Sequence, residues 1–126
     1  MKFLFLIISA SMIAIAPGAF AGSSDTKVAL VPGGPHPYFA AWEKAGRDAV
    51  KDFGLGKADY KVPAEWDLSQ QNELIESLVG KGYNAVLVFP GDAVGTNKIL
   101  GELDDAGIPT AALAGCVEQP TKAKMC

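Results

Sequence analysis

Apolar residues fall into short runs, separated by stretches in which they recur every three or four positions. Two of the runs, Val28 to Val31 (VALV) and Ala85 to Phe89 (AVLVF), are continuous rather than alternating. Continuous runs of that length fit strands buried on both faces, as in a parallel sheet covered by helices. Weaker runs at Tyr60 to Val62 and Thr110 to Ala114 complete a series spaced by about 25 to 30 residues, the length of a βα unit. Between them the period lengthens. Phe39, Trp42, Ala45, Ala49, Val50 and Phe53 line one face of a first helix, stopped by Gly54 and Gly56. Asp67, three residues before Gln70, starts a second helix carrying Leu68, Leu74, Ile75, Leu78 and Val79 and ending at Gly80 and Gly82. A third runs from about Ala93 to Ala106, with Ile99, Leu100 and Leu103 facing inward. The order β-α-β-α-β-α-β predicts an α/β fold with a doubly wound parallel sheet and right-handed crossovers.

One further apolar run has a different meaning. Residues 3–16 (FLFLIISASMIAIA) follow Lys2 and precede Pro17, Gly18 and the small-x-small triplet Ala19-Phe20-Ala21. The run is shorter than the ~20 residues a membrane-spanning helix needs. The arrangement predicts a secretory signal peptide over residues 1–21, cut after Ala21, and export to an oxidising compartment, most simply the periplasm. No stable membrane insertion is expected once it is removed.

Composition narrows the function classes. The 126 residues carry a net charge of −3 and are 49% hydrophobic, which excludes a disordered chain and opposes non-specific nucleic-acid binding. Two cysteines and one histidine cannot supply four zinc ligands without carboxylates, so no metal is expected, and no motif calls for a cofactor. There is no Gly-x-Ser-x-Gly, and Gly33-Gly34 lacks the rest of a phosphate-binding loop. With His36 as the only histidine, an enzyme reading lacks its nucleophile and base. The chain is read as a non-enzyme.

Ligands of open α/β sheets bind beyond the carboxyl ends of the strands, so the loops there hold the candidates. The first, Pro32-Gly33-Gly34-Pro35-His36-Pro37, delivers Tyr38 and Phe39 to the start of the first helix. Phe39 either begins the core stripe or faces a ligand; Tyr38, off that stripe and bearing a hydroxyl, suits a ligand better. His36 is either a surface loop residue or a hydrogen-bonding group. Trp66, between Glu65 and Asp67, is a ligand wall or a lid over the core. Asp92 either caps the third helix or accepts hydrogen bonds from ligand hydroxyls.

The segments VALVPGGPHPYFAAWEKAGRDAVKDFG, DLSQQNELIESLVGKGYNAVLVFPGDAVGTN and GELDDAGIPTAAL, in that order and spacing, resemble the first lobe of periplasmic type I solute-binding proteins of the ribose- and galactose-binding kind. The strongest stretch runs from LIESLVGKGYNAVLVFPGD to DAGIPT. The resemblance covers the whole predicted mature chain, residues 22–126, and implies the N-terminal lobe of a two-lobed protein, truncated and without the second lobe. It implies a substrate-binding component of an ABC-type importer, capturing a sugar or sugar-like solute for a permease in the inner membrane. The family's pattern of a polar residue, proline and two aromatics falls on His36, Pro37, Tyr38 and Phe39, and its aspartate after the third strand falls on Asp92. Ala114 and Gly115 depart from it, standing where sugar-binding members often carry an Asp-Arg pair that grips ring hydroxyls.

Cys116 and Cys126, separated by nine intervening residues, are expected to form a disulfide in an exported chain, worth up to ~3 kcal/mol in the chain-entropy model. Two other readings compete with transport: a periplasmic sensor presenting its ligand to a receptor, and an α/β enzyme.

Overall fold

Strand pairing fixes the frame. The computed structural model describes residues 23–118. Among them, β1 (Lys27–Val31), β2 (Lys57–Tyr60), β3 (Ala85–Val88) and β4 (Thr110–Ala112) form one parallel sheet in the order β2-β1-β3-β4. β1 is central. Leu30 is level with Tyr60 on one side and Leu87 on the other, and Val88 is level with Ala112. Helices α1 (Ala40–Phe53), α2 (Leu68–Gly80) and α3 (Thr96–Asp105) connect the strands. The chain steps outward from β1 to β2, then back across β1 to β3. Connections therefore diverge above the carboxyl ends of β1 and β3, the place where open α/β sheets leave a crevice.

Side chains alternate between the faces of each strand, and the two faces are covered differently. Ala29, Val31, Val86 and Val88 pack with Ile75 and Leu78 of α2 and Ile99, Leu100 and Leu103 of α3 to form the main core. Helix α1 lies on the opposite face. There Gly46 comes so close that a Cβ would sit 2.6 Å from the Ala58 carbonyl oxygen and 3.0 Å from Leu30 Cδ1. The parallel sheet with helices on both faces is the architecture the apolar pattern predicts.

Several boundaries differ from the sequence reading. β2 lies at Lys57–Tyr60 rather than Tyr60 to Val62, because pairing with Lys27–Leu30 selects those residues. As an edge strand it needs no apolar run. β4 stops at Ala112, before Ala114 leaves the strand conformation at φ 60°. α3 begins at Thr96, several residues after Ala93. On α1 the buried position is Gly46, and Ala45 is exposed. Phe53 shares the angular position of Gly46 but is 70% exposed, being the last residue before the Gly54 turn.

A polar cluster ties β2 to the segment entering β3. Tyr83 donates its hydroxyl to Asp59 Oδ2, Lys57 Nζ lies 2.9 Å from the same oxygen, and Lys57 sits 5.1 Å from the Tyr83 ring centre. Burial pushes the Asp59 carboxyl up, but the Tyr83 hydrogen bond and Lys57 outweigh it and hold the group below its ordinary value. Tyr83 is pushed above its ordinary value, first by burial and then by the bond to Asp59.

Candidate functional site: an aromatic cleft

Above the carboxyl ends of β1 and β3 two loops touch through their backbones. A Cβ on Gly33 would fall 2.6 Å from Gly91 Cα, so no larger residue fits that contact. Gly34 serves as the floor under Trp66: a Cβ there would meet the indole at 2.4 Å from Cγ. Trp66 is anchored across the loop by Nε1–H donating to the Pro35 carbonyl at 3.2 Å, while half its surface stays open to solvent.

The next residues form a short 3₁₀ turn, Pro37–Phe39. Proline suits the first position because no N–H is needed there. His36 caps the turn, its Nδ1 accepting the Tyr38 N–H at 3.1 Å. A ring nitrogen that accepts carries no proton, so in neutral His36 the proton sits on Nε2, making that atom a donor. The turn buries Phe39 and leaves Tyr38 62% exposed. Phe39 is the hub of the aromatic cluster, with ring centres at 5.0 Å to Phe89, 5.1 Å to Tyr38, 5.1 Å to Trp42 and 6.2 Å to Trp66. Trp66 meets Phe89 edge to face at 6.0 Å.

Together these residues line a cleft of about 330 Å³ bounded by His36, Tyr38, Phe39, Trp66, Phe89 and Ala114. The fold thus brings four of the five candidate ligand residues to one cavity, from two loops separated in sequence. Phe39 is buried in the aromatic cluster and also borders the cleft. Asp92 is not among the lining residues. Its Oδ1 accepts from the Val94 N–H at 3.0 Å and from the Gly95 N–H, and its carbonyl accepts from Thr96, which organises the entry to α3. No charged side chain lines the cavity. It offers ring faces, the Tyr38 hydroxyl and one imidazole donor, suited to holding an uncharged molecule.

Three participants do not stand out as site residues in the sequence. Phe89 reads as the end of an apolar strand, and only its position at the carboxyl end marks it for the site. Ala114 differs from the family pattern in sequence; in the fold it lines the cleft in a left-handed conformation that an L-residue seldom adopts. Gln71 is a buried polar residue at 0% exposure, with Nε2–H donating to the Phe89 carbonyl at 2.8 Å and Oε1 accepting the Gly91 N–H at 2.9 Å. Its spacing to Ile75 and Leu78 puts it on the inward face of α2, a signal the sequence does carry. Cys126 lies outside the described residues, as does the 1–21 segment. No group of three or more His, Cys, Asp or Glu among the described residues is placed to hold a metal ion.

Comparison with known proteins supplies the family. The model of the periplasmic binding protein domain family matches residues 28–121. The ABC transporter periplasmic-binding protein YphF of Escherichia coli (strain K12) is 21% identical over 114 residues, covering 90% of this chain and 35% of that protein. An ABC transporter solute-binding protein from Bradyrhizobium sp. BTAi1, solved with bound bis-tris, superimposes with a TM-score of 0.71 at 23% identity, over 80% of this chain and 31% of the other. Another from Burkholderia graminis C4D1M, in complex with D-arabinose, gives a TM-score of 0.63 at 22% identity, over 70% and 30%. The chain spans about a third of the length of these relatives. They are solute-binding proteins rather than enzymes. On the strength of the family match and the shared fold, this chain belongs to the periplasmic binding protein domain family.

Proposed function

We propose that the aromatic cleft is this chain's portion of a solute-binding site, and that the protein is the substrate-binding component of an ABC importer for a sugar or sugar-like compound. The observation that carries the reading is the cleft itself, an uncharged cavity walled by four aromatic rings at the β1/β3 crevice. A sugar ring presents C–H faces that pack against aromatic rings and hydroxyls that accept a hydrogen bond. Tyr38, Trp66 and Phe89 supply the first kind of contact and His36 Nε2–H the second. D-arabinose in one structural relative and D-allose in another, from Actinobacillus succinogenes 130z, support the choice of ligand class. The reading includes export after cleavage at Ala21, a periplasmic location, a Cys116–Cys126 disulfide and delivery to an inner-membrane permease.

Isothermal titration with D-arabinose, D-allose and L-rhamnose, beside native mass spectrometry of protein taken from the periplasm, tests it. Saturable heat with one of these sugars, or a co-purifying sugar mass, is the expected result. No sugar bound in either measurement counts against the assignment.

A further inference from the structure

Gln71 is a fully buried polar residue bonded to the stretch of chain that carries one wall of the cleft. It sits on α2 and is not among the residues lining the cavity. A buried amide needs hydrogen-bond partners, and here one Nε2–H and the oxygen are bonded to one short stretch of chain. The Nε2–H holds the carbonyl of Phe89, whose ring lines the cleft. The Oε1 holds the N–H of Gly91, whose Cα abuts Gly33 at the base of the first loop. Pro90, between them, has no N–H to offer. These two bonds therefore hold the residues on either side of Pro90, just past the last bond of β3 to β1, in which the Phe89 N–H donates to the Val31 carbonyl at 3.1 Å. A Cβ on Gly91 would lie 2.9 Å from Gln71 Oε1, so the amide also fills the space beneath the loop.

We infer that Gln71 is a positioning residue of the cleft: by clamping Phe89 and Gly91 it sets the distance between the Phe89 ring and the Trp66 wall, and so the width of the space a ligand occupies. The clamp acts through backbone groups. Its loss leaves the partly buried Phe89 carbonyl and Gly91 N–H without this partner, and the loop relaxes until they are hydrated. Phe89 and the Gly33–Gly91 contact move with it, and Trp66, packed on Gly34, senses the movement. The ligand consequence rests on the solute-binding reading; the geometric one does not.

The test uses Gln71→Met, which keeps length and loses both bonds, and Gln71→Glu at a pH high enough to ionise the buried carboxyl, which then keeps the acceptor and loses the donor. Ile75→Val, one turn further along the same helix, is the control for general loosening of the core. The readout independent of any ligand is the indole N–H resonance of Trp66 in ¹⁵N-labelled protein, assigned with Trp42→Phe. Both Gln71 variants are expected to move that resonance, Gln71→Met further, while Ile75→Val lowers the urea midpoint and leaves the resonance in place. Lowering the pH protonates the introduced carboxylate of Gln71→Glu, which restores a donor toward Phe89 and returns the resonance toward its wild-type position. For the sugar that wild type binds in titration, affinity falls about tenfold in Gln71→Met and stays near wild type in Ile75→Val. An unmoved Trp66 resonance in folded Gln71→Met and Gln71→Glu, or an equal movement in Ile75→Val, overturns the positioning role. Absence of sugar binding by wild type overturns the solute assignment alone, since the resonance still decides the role of Gln71.

Discussion

At the residue scale, the site separates side chains that face the cavity from those that shape it. His36 and Tyr38 face it, and each is expected to weaken sugar binding when replaced by alanine. The loss for His36→Ala is about 1–3 kcal/mol if a ligand hydroxyl is left unpaired, read by titration calorimetry. Asp92→Ala should behave differently, because its Oδ1 is engaged by Val94 and Gly95. Removing that acceptor from the turn ahead of α3, whose N-cap is Gly95, is expected to cost about 0.5–2 kcal/mol of stability with affinity unchanged; a loss of affinity without a loss of stability would instead give Asp92 the ligand contact. Gly34→Ala probes the shaping residues. Its Cβ would overlap Trp66, and a half-exposed indole escapes by swinging outward. The expected result is a red-shifted, more quenchable tryptophan emission and weakened binding, with only about 1 kcal/mol lost in urea unfolding. Emission identical to wild type would show that the indole does not rest on Gly34.

At the element scale, two glycines inside helices make opposite predictions. Gly46 in α1 and Gly101 in α3 would each gain up to ~1 kcal/mol of helix propensity as alanine. For Gly101 nothing lies within 4 Å of the added methyl, so the gain is expected in full as a higher urea midpoint. For Gly46 the methyl meets a backbone carbonyl at 2.6 Å, and an overpacking cost of about 1–3 kcal/mol exceeds the gain. A stabilised Gly46→Ala would mean that α1 does not lie this close to β2. The link from β2 to β3 carries a pH signature. Asp59 is held below its ordinary value of 3.8, so the stability it contributes is present above that value and lost as pH falls through the lower folded one. Tyr83 is held above its ordinary 10.0, so its contribution is present below 10.0 and lost as pH rises through the higher folded value. Tyr83→Phe is expected to lower stability by about 1 kcal/mol on the plateau between, the bond being screened by the partial exposure of Asp59. The difference from wild type should close at both ends, and a pH-independent difference would point to packing alone.

At the scale of the whole molecule, the proposed export and disulfide have direct readouts. Periplasmic protein is expected to begin at Gly22 by intact mass and to yield one Cys116–Cys126 peptide under non-reducing digestion; a retained residue 1, or two alkylated cysteines, would refute the corresponding proposal. Much of the architecture is legible in the sequence. Continuous apolar runs at Val28 to Val31 and Ala85 to Phe89 specify strands buried on both faces, and the stripe through Ile75 and Leu78 specifies a helix laid on them, because periodicity is a local property of the chain. The Asp67 cap is equally local, and Gln70 N–H meets its Oδ1 at 2.8 Å. His36, Tyr38, Phe39 and Trp66 are legible as residue types in loops at strand ends. Their convergence is not, since it depends on β1 and β3 lying side by side with β2 and its outgoing loop to the other side of β1. The shift of β2 toward Lys57 is decided by its ladder with β1, which rewards backbone pairing and tolerates charged side chains at an edge. Phe89 and Ala114 become cleft residues only when parallel pairing sets the ends of β3 and β4 level. Gln71 shows the division most clearly: periodicity places a polar group on a buried face, and only tertiary structure supplies the Phe89 carbonyl and Gly91 N–H that make its burial tolerable.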